Sequence, residues 1–242
     1  MKRRQALARP VLLGVAFAAS AACAQQSHLP EVEVRGPRDA AIGSADSASE
    51  GAVERESYQT RPKLRPGDIV EAVPGVVATQ HSGDGKANQY FLRGFNLDHG
   101  TDFAVSVDGM PVNMPTHGHG QGFADLNFLI PELVSGVRYR KGPYFADGGD
   151  FSLAGSATLD YFGALDAPFA ELSFGANNFR RLLAAGSRTV QDQTWLGAIE
   201  VEGNDGPWDV AENLQKVNAV LRYAQGSPTR GFSLTGMAYK SR

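Results

Sequence analysis

Cysteine is almost absent from this sequence, with Cys23 as the single one among 242 residues. A disulfide within the chain needs two cysteines, so the fold has no covalent cross-link. Long hydrophobic runs are absent as well, because no stretch after residue 24 approaches the roughly 20 apolar residues of a membrane-spanning helix. If this protein spans a membrane, it must therefore do so as a β-barrel. A closed barrel pairs all backbone N–H and C=O groups between its strands, so none is left without a partner in lipid.

The first 24 residues have the pattern of a secretion signal. Four basic residues among the first nine precede the apolar run Val11–Ala19, and Ala22-Cys23-Ala24 provides an A-x-A cleavage site. Cleavage after Ala24 would remove Cys23 and leave 19 basic and 26 acidic residues, a net charge of −7. An acidic exported protein is a poor nucleic-acid binder, so no nucleic-acid partner is expected.

Two other interpretations of this leader are weaker. A lipid anchor at Cys23 would usually have a large aliphatic residue three positions earlier, where this chain has Ser20. A twin-arginine export signal could begin at Arg3-Arg4, but the neighbouring residues lack the rest of that pattern.

Three regions of different character follow the leader. Residues 25–61 are rich in small and charged residues and poor in large apolar ones, so we predict a flexible segment that buries no core. Within it, the hexamer Leu29-Pro30-Glu31-Val32-Glu33-Val34 alternates valine with glutamate, as a short strand without a visible partner does. Residues 62–165 are globular in character, and residues 166–242 alternate apolar with polar positions.

The globular region has the pattern of a small mixed α+β domain. A short helix is predicted over Asp68–Val73, capped by Asp68 and stopped by Pro74-Gly75. The other predicted elements are strands at Tyr90–Arg93, Phe103–Val107, Gly136–Arg140 and Ser156–Tyr161, and a helical turn near Asp125–Val134. An Asp108-Gly109 turn follows the second strand, because this dipeptide favours the backbone of a tight hairpin.

The last region predicts antiparallel strands. About five runs of roughly ten residues are apolar on one face and polar on the other, which is typical of a transmembrane β-barrel but also of a soluble sandwich. Aromatic residues near strand ends, namely Phe169, Tyr223 and Tyr239, favour the membrane. The smallest membrane barrels have about eight strands, so we expect an incomplete transmembrane barrel and a chain that is a fragment.

A series of ordered motifs resembles the plug domain of TonB-dependent outer-membrane receptors. They are Asp68–Val76 (DIVEAVPGV), Phe91–Phe95 (FLRGF), Val107–Val112 (VDGMPV), Ile130–Val137 with Arg140–Pro143, and Ala154–Leu159. The residues that we assign to plug architecture are Pro74, Gly75, Arg93, Gly94, Asp108, Gly109, Gly142 and Pro143. Of these, Arg93 is expected to bind a carboxylate, either on the barrel wall or within the plug.

The resemblance implies a domain order and a function. The order is a signal peptide (1–24), a flexible periplasmic segment (25–61), a plug domain (62–165) and the first strands of a truncated outer-membrane β-barrel (166–242). Leu29–Val34 then resembles a TonB box, which adds as a strand to the periplasmic domain of TonB. The implied function is active transport of a scarce nutrient, foremost a metal chelate such as a siderophore complex, with no enzymatic step and no required cofactor. The implied partners are TonB, energised by the inner-membrane proton gradient, the outer-membrane lipid and the transported ligand.

A glycine-rich loop over residues 114–122 carries His117 and His119 as an H-x-H pair. With His99, Asp102 and Gln121 they are the candidates for ligand or metal contact, because imidazoles and carboxylates bind transition-metal ions. The same histidines can equally be polar side chains that fill a wet barrel interior, since H-x-H alone is a weak metal signature.

Two other functions stay open from the sequence. An exported metal-binding protein or metallohydrolase would use His99, His117 and His119. The hydrolase would add Asp102 or Asp125, but no H-E-x-x-H or G-x-S-x-G pattern accompanies these residues. A soluble plug-like binding or signalling module would require that the strands after residue 167 bury their apolar face.

Overall fold

The computed structural model describes residues 47–62, 65–81, 83–227 and 230–242. The predicted signal peptide (1–24) and the predicted TonB box (Leu29–Val34) lie outside these residues. All described residues belong to one compact unit. We call residues 47–162 the plug region and residues 169–241 the meander.

Two small sheets make up the plug region. The strands are β1 (Glu50–Glu54), β2 (Val76–Thr79), β3 (Gln89–Leu92), β4 (Phe95–Asn96), β5 (Phe103–Val107), β6 (Met110–Pro111), β7 (Val134–Lys141) and β8 (Gly155–Tyr161). They form a five-stranded sheet in the order β1-β7-β8-β5-β6 and a three-stranded sheet in the order β2-β3-β4. β5 and β8 pair in parallel.

Helical structure in the described residues is restricted to short 3-10 helices. They span Arg55–Ser57, Pro66–Ala72, Pro131–Leu133 and Ala146–Gly148. In the part of the chain that the structure describes, no helix is long and apolar enough to cross a membrane.

The meander consists of five antiparallel strands joined in sequence. They are β9 (Phe169–Phe174), β10 (Arg180–Val190), β11 (Gln193–Asn204), β12 (Leu214–Ser227) and β13 (Arg230–Ser241), and each pairs with its neighbours in the chain. The period-two alternation predicted about five antiparallel strands in this region, and the structure confirms five.

One hydrophobic core joins the plug region to the meander. Side chains of the plug region that have no exposed surface include Val70, Val73, Tyr90, Phe103 and Leu133. Leu183, Leu196 and Val220 of the meander belong to the same cluster. The plug region therefore packs directly on one face of the meander.

That packed face of the meander is polar in large part, whereas its other face is apolar and exposed. Arg181, Glu200 and Lys216 are buried towards the plug region. The apolar side chains with large exposed fractions include Leu172, Phe174, Leu182, Trp195, Ile199, Val217, Leu221 and Leu234. This arrangement contradicts the soluble-module alternative, which required the apolar face to be the buried one.

Of the three aromatic residues predicted for a membrane-interface girdle, only Tyr223 lies on the exposed face. Tyr223 contacts Trp195, with ring centroids 4.6 Å apart, and Phe232, at 5.8 Å. Phe169 instead packs against the core, and Tyr239 pairs with the fully buried Asn218, so both predictions were wrong. Residues directly opposite each other in a ladder share one face, which places Tyr239 towards the plug region.

The folded part of the chain begins earlier than predicted. β1 lies within the segment 25–61 that we expected to be flexible, yet it pairs along its whole length with β7. Val53 is 3% exposed, and the Tyr58 hydroxyl donates a hydrogen bond to the Val134 carbonyl oxygen at 3.2 Å. Val53 and Tyr58 thus attach this segment to the plug region, and β7 supplies the backbone hydrogen-bond partners of β1.

The first predicted helix is displaced and is not an α-helix. It begins at Pro66, two residues before Asp68, and proline is favoured at a first helical turn because it needs no hydrogen bond there. The Asp68 carboxylate does not cap the helix but binds the Arg65 guanidinium at 3.1 Å. The predicted turn over Asp125–Val134 contains only the 3-10 helix Pro131–Leu133.

We expect Leu133→Ala to lower the free energy of unfolding by about 2–5 kcal/mol, because it creates a cavity at a fully buried position of the core. The measurement is urea unfolding of the full chain in detergent. Leu153→Ala is the matched control, since Leu153 is 63% exposed. Equal losses for the two variants would show that Leu133 does not lie in a closely packed core.

Candidate functional site

Three loops of the plug region bring histidines together. His81 follows β2, His99 follows β4, and His119 lies in the loop after β6. The rings of His99 and His119 are 4.4 Å apart in an edge-to-face arrangement, and those of His81 and His99 are 5.0 Å apart. We call His81, Asp98, His99 and His119 the histidine cluster.

The buried member of the histidine cluster is His99, which is 5% exposed. Its Nδ1 atom lies 2.9 Å from the Asn88 carbonyl oxygen, and a carbonyl can only accept a hydrogen bond. Nδ1 therefore carries a proton, and in the neutral ring the Nε2 lone pair is left free to bind a partner. That Nε2 atom is 3.1 Å from His81 Nε2 and 3.7 Å from an Asp98 carboxylate oxygen.

One ligand atom from each of Asp98, His99 and His119 lies within 4.8 Å of the others. Asp98 is held at a φ of 50°, and its backbone N–H donates to the Asn96 side-chain oxygen at 2.8 Å. Both Asp98 and His119 are exposed. The cluster thus has a fixed, buried imidazole and more accessible partners around it.

The structure brings together only part of the predicted set. His117 stacks on Phe123 with ring centroids 3.9 Å apart, and its Nδ1 accepts a hydrogen bond from the His119 backbone. Asp102 is not in the convergent group that the described residues form, and Gln121 is exposed. Asp125 accepts hydrogen bonds from Asn127 instead. The ligand set that the hydrolase alternative required is therefore not assembled.

Asn113 fastens the loops that carry the cluster. Its side-chain nitrogen lies 2.9 Å from each of the Gly100, Phe103 and Gly122 carbonyl oxygens, and its side-chain oxygen accepts from the Val105 backbone at 2.7 Å. Gly100 has a φ of +119°, and an added Cβ would lie 2.8 Å from the Gly122 oxygen. No local sequence pattern indicates this role, because it depends on contacts between separate loops of the folded chain.

A buried charge network connects the plug region to the meander. Arg181 of β10 binds Glu132 through two hydrogen bonds of 3.0 and 2.9 Å, and Arg181 Nε binds Glu200 at 2.6 Å. Lys216 binds Glu202 at 2.7 Å and lies 3.4 Å from Glu200. Each of these side chains is less than 9% exposed. Asn218 completes the network by donating to Glu200 at 2.7 Å and to the Asn127 carbonyl at 3.1 Å.

A second contact joins the predicted hairpin of the plug region to the meander. Asp108 binds the Arg222 guanidinium of β12 and accepts a hydrogen bond from the Thr235 hydroxyl at 2.6 Å. The φ angles of Asp108 and Gly109 are +50° and +83°, which confirms the tight turn expected from this dipeptide. The turn holds the Asp108 carboxylate against the meander.

The tie that was predicted through Arg93 is not formed among the described residues and stays a prediction. Arg93 is exposed, and within the described residues its side chain has no hydrogen bond or ion pair. Arginine–carboxylate ties do exist, but the arginines are Arg181 and Arg222 on the meander and the carboxylates are on the plug region.

Burial, with the nearby charge of Arg93, lowers the pKa of Lys141.

The glycines assigned to plug architecture occupy turns. Gly75, Gly94 and Gly142 all have positive φ angles, between +84° and +88°. The Arg93 backbone N–H donates to the Gly75 carbonyl at 2.8 Å, and the Gly142 N–H donates to the Ala154 carbonyl at 2.7 Å. These contacts join the ends of neighbouring strands, while the roles of Pro74 and Pro143 stay predictions.

Comparison with known proteins identifies this architecture. Residues 42–156 match the family model of the TonB-dependent receptor plug domain. The siderophore receptor PirA from Acinetobacter baumannii aligns with a TM-score of 0.55 at 15% identity, over 80% of this chain and 32% of that receptor. The copper transporter OprC aligns with a TM-score of 0.63 at 15% identity, over 82% of this chain and 32% of that transporter.

A ferric enterobactin receptor variant, PfeA from Pseudomonas aeruginosa, aligns with a TM-score of 0.55 at 15% identity, over 80% of this chain and 34% of that receptor. At such low identity these likenesses show the fold, and this chain spans about a third of the length of those proteins. The fold is a receptor plug followed by antiparallel strands. Residues 42–156 of this chain therefore form a TonB-dependent receptor plug domain, the domain that the ordered sequence motifs predicted.

We expect Asn113→Ala to speed amide hydrogen exchange in residues 97–103 and 113–124 by about tenfold or more, since the loss of several partly buried hydrogen bonds costs about 1–3 kcal/mol. Mass spectrometry of exchanged peptides measures the effect. Gln121→Ala in the same loop is the control, because its side chain is exposed. Unchanged exchange in Asn113→Ala would show that the loops are held by other contacts.

We expect Arg181→Met to lower the free energy of unfolding by about 3–5 kcal/mol, because it removes the guanidinium that binds the buried carboxylates of Glu132 and Glu200. The control is Arg138→Met. Arg138 also binds a carboxylate through two bonds, but its side chain is 63% exposed, so the loss should stay within about 1 kcal/mol. Chemical unfolding of both variants gives the comparison, and similar losses would contradict the importance of burial.

Proposed function

We propose that this chain is the plug-bearing part of a TonB-dependent transporter that carries a metal ion or metal chelate across the bacterial outer membrane. The observation that carries the proposal is a plug domain joined by buried charges to a sheet whose opposite face is apolar and exposed. A soluble protein rarely exposes such a continuous apolar face. A barrel strand does so because that face meets lipid.

The aromatic cluster supports the same assignment. Trp195, Tyr223 and Phe232 lie together on the exposed face of the meander, near the connection between β10 and β11. Aromatic rings collect at the boundary between lipid and water in membrane barrels. This cluster would mark one such boundary.

The lengths of the strand connections orient the plug. At one end of the meander, two residues separate β10 from β11 and β12 from β13, whereas residues 175–179 and 205–213 make longer connections at the other end. Outer-membrane barrels have short turns on the periplasmic side and longer loops outside. The Asp84 backbone donates to Glu212 of a longer loop at 3.0 Å, and Asn204 binds the Asp84 side chain. His81 lies three residues before Asp84, so the histidine cluster would face the outside.

Transport in this proposal proceeds by gating of the plug. A ligand binds at the outward end, and the plug shifts between states that hide or expose the segment Leu29–Val34. TonB then binds that segment by β-augmentation and transmits force to the plug. Coupling requires that the ligand bind the box-exposed and box-hidden states with different affinity. Residues 1–24 would act as the signal peptide, and no covalent bond of the ligand is broken.

The ligand class in the proposal has two supports. The solved structures with this fold are named as receptors or transporters for siderophores, ferric enterobactin and copper. The residues of this chain add a cluster of imidazoles and a carboxylate at the outward end. Both observations favour a metal-containing ligand.

We expect Val32→Pro to abolish energy-dependent uptake of metal by cells that carry the complete gene product, because proline removes a backbone N–H that an added strand donates. Uptake of radioactive zinc and of a ferric siderophore is the measurement, with membrane fractionation to show that the protein still reaches the outer membrane. Val32→Thr is the control, since it keeps the N–H and a β-branched side chain. If Val32→Pro transports normally, the segment is not the TonB-binding strand.

A further inference from the structure

We infer that the histidine cluster binds a bare divalent first-row transition-metal ion directly, through His81, His99, His119 and Asp98. The corollary, that this ion is the transported ligand, rests on the proposed function. Imidazole nitrogen and carboxylate oxygen without thiolate are the donors that zinc, copper and nickel accept. The cluster holds these donors and no sulfur.

The distances within the cluster fit one small ion. Zinc–imidazole bonds are about 2.0–2.1 Å, so two nitrogens on a tetrahedral zinc ion lie about 3.3 Å apart. His81 Nε2 and His99 Nε2 are 3.1 Å apart, and the ligand atoms of Asp98, His99 and His119 lie within 4.8 Å of one another. Asp98 and His119 are exposed, so their side chains can move closer to His99 as an ion binds.

The buried ligand is already oriented for this task. The hydrogen bond from His99 Nδ1 to the Asn88 carbonyl fixes the ring and its tautomer, which is the outer-shell partner that metal-binding histidines usually have. The His99 backbone is held as well, because its carbonyl accepts from the Ala124 N–H at 2.7 Å. A polar residue that only fills a wet space would need neither constraint.

The same geometry disfavours an organic chelate as the ligand of these residues. A hexadentate siderophore fills all six coordination positions of its iron and so presents no free position to an imidazole. The His99 nitrogen is nearly buried and faces other donor atoms at 3.1 to 3.7 Å. A single ion fits among these atoms, whereas a large chelate would contact them only from the exposed side.

The first test measures metal binding by the full chain in detergent. The visible absorption of bound Co²⁺ reports binding, and its loss on addition of Zn²⁺ reports displacement. The wild type should bind one Co²⁺ ion with the intense visible bands of a four-coordinate site. His99→Gln and His119→Gln should each weaken binding at least about 10- to 100-fold, the loss that removal of an outer-shell partner alone can cause. His117→Gln is the matched control and should bind as the wild type does, because His117 stacks on Phe123 outside the cluster.

Absence of a Co²⁺ site in the wild type would overturn the inference. So would equal weakening by His117→Gln and His119→Gln, since the assigned ligands would then be wrong. Circular dichroism of each variant excludes misfolding as the cause of a loss.

The second test separates the inference from the proposed function, using cells with the complete gene product, Zn²⁺ and a ferric siderophore as probes. If His119→Gln and Val32→Pro both abolish zinc uptake, the result supports the bare ion as the transported ligand. If siderophore uptake depends on Val32 but not on His119, the bare ion is not the transported ligand, and the proposed transporter function still stands. Zinc binding without any uptake that depends on Val32 overturns the transporter and leaves the metal site standing.

Discussion

The arrangement of this protein depends on the burial of charge between the plug domain and the meander. Glu132, Arg181, Glu200 and Lys216 satisfy one another at distances of 2.6 to 3.4 Å, out of contact with bulk water. Buried ion pairs contribute little net stability, but an incomplete one is costly, so such a network selects one geometry over its alternatives. Its presence on the inner face leaves the apolar side chains of the meander on the outer face. The same charges therefore determine both how the plug domain packs on the meander and which face of the sheet is polar.

The sequence predicted the strands well and their environment less well. Alternation in residues 214–227 identifies two faces of β12, but it does not say which face is covered, and here Lys216 and Asn218 are buried while Val217 and Leu221 are exposed. Tyr239 was misplaced for this reason. β1 was missed because its only large apolar residue is Val53 and its partner, β7, is far away in the chain. Such pairings depend on tertiary contacts that local patterns do not contain.

The candidate site shows the same division. An H-x-H pair in a glycine-rich loop drew attention to His119, which the structure places beside His99 of a neighbouring plug loop. The sequence could not separate His119 from His117, because the stacking of His117 on Phe123 is a property of the folded loop. It also could not weigh His81 or Asn113, whose contributions come from another loop and from backbone carbonyls. The residue types indicated which side chains could bind a metal ion, but not which of them meet in the folded cluster.

The position of β1 has a mechanical consequence. It is an edge strand with a single neighbour, β7, and it is the first element that the structure describes along the chain. Tension applied from the N-terminal side therefore loads β1 before any other described strand. Five residue pairs resist that load, and peeling them away leaves the β7-β8-β5-β6 ladder complete. The plug domain thus has a mechanically separable margin next to a core that retains its own hydrogen bonds.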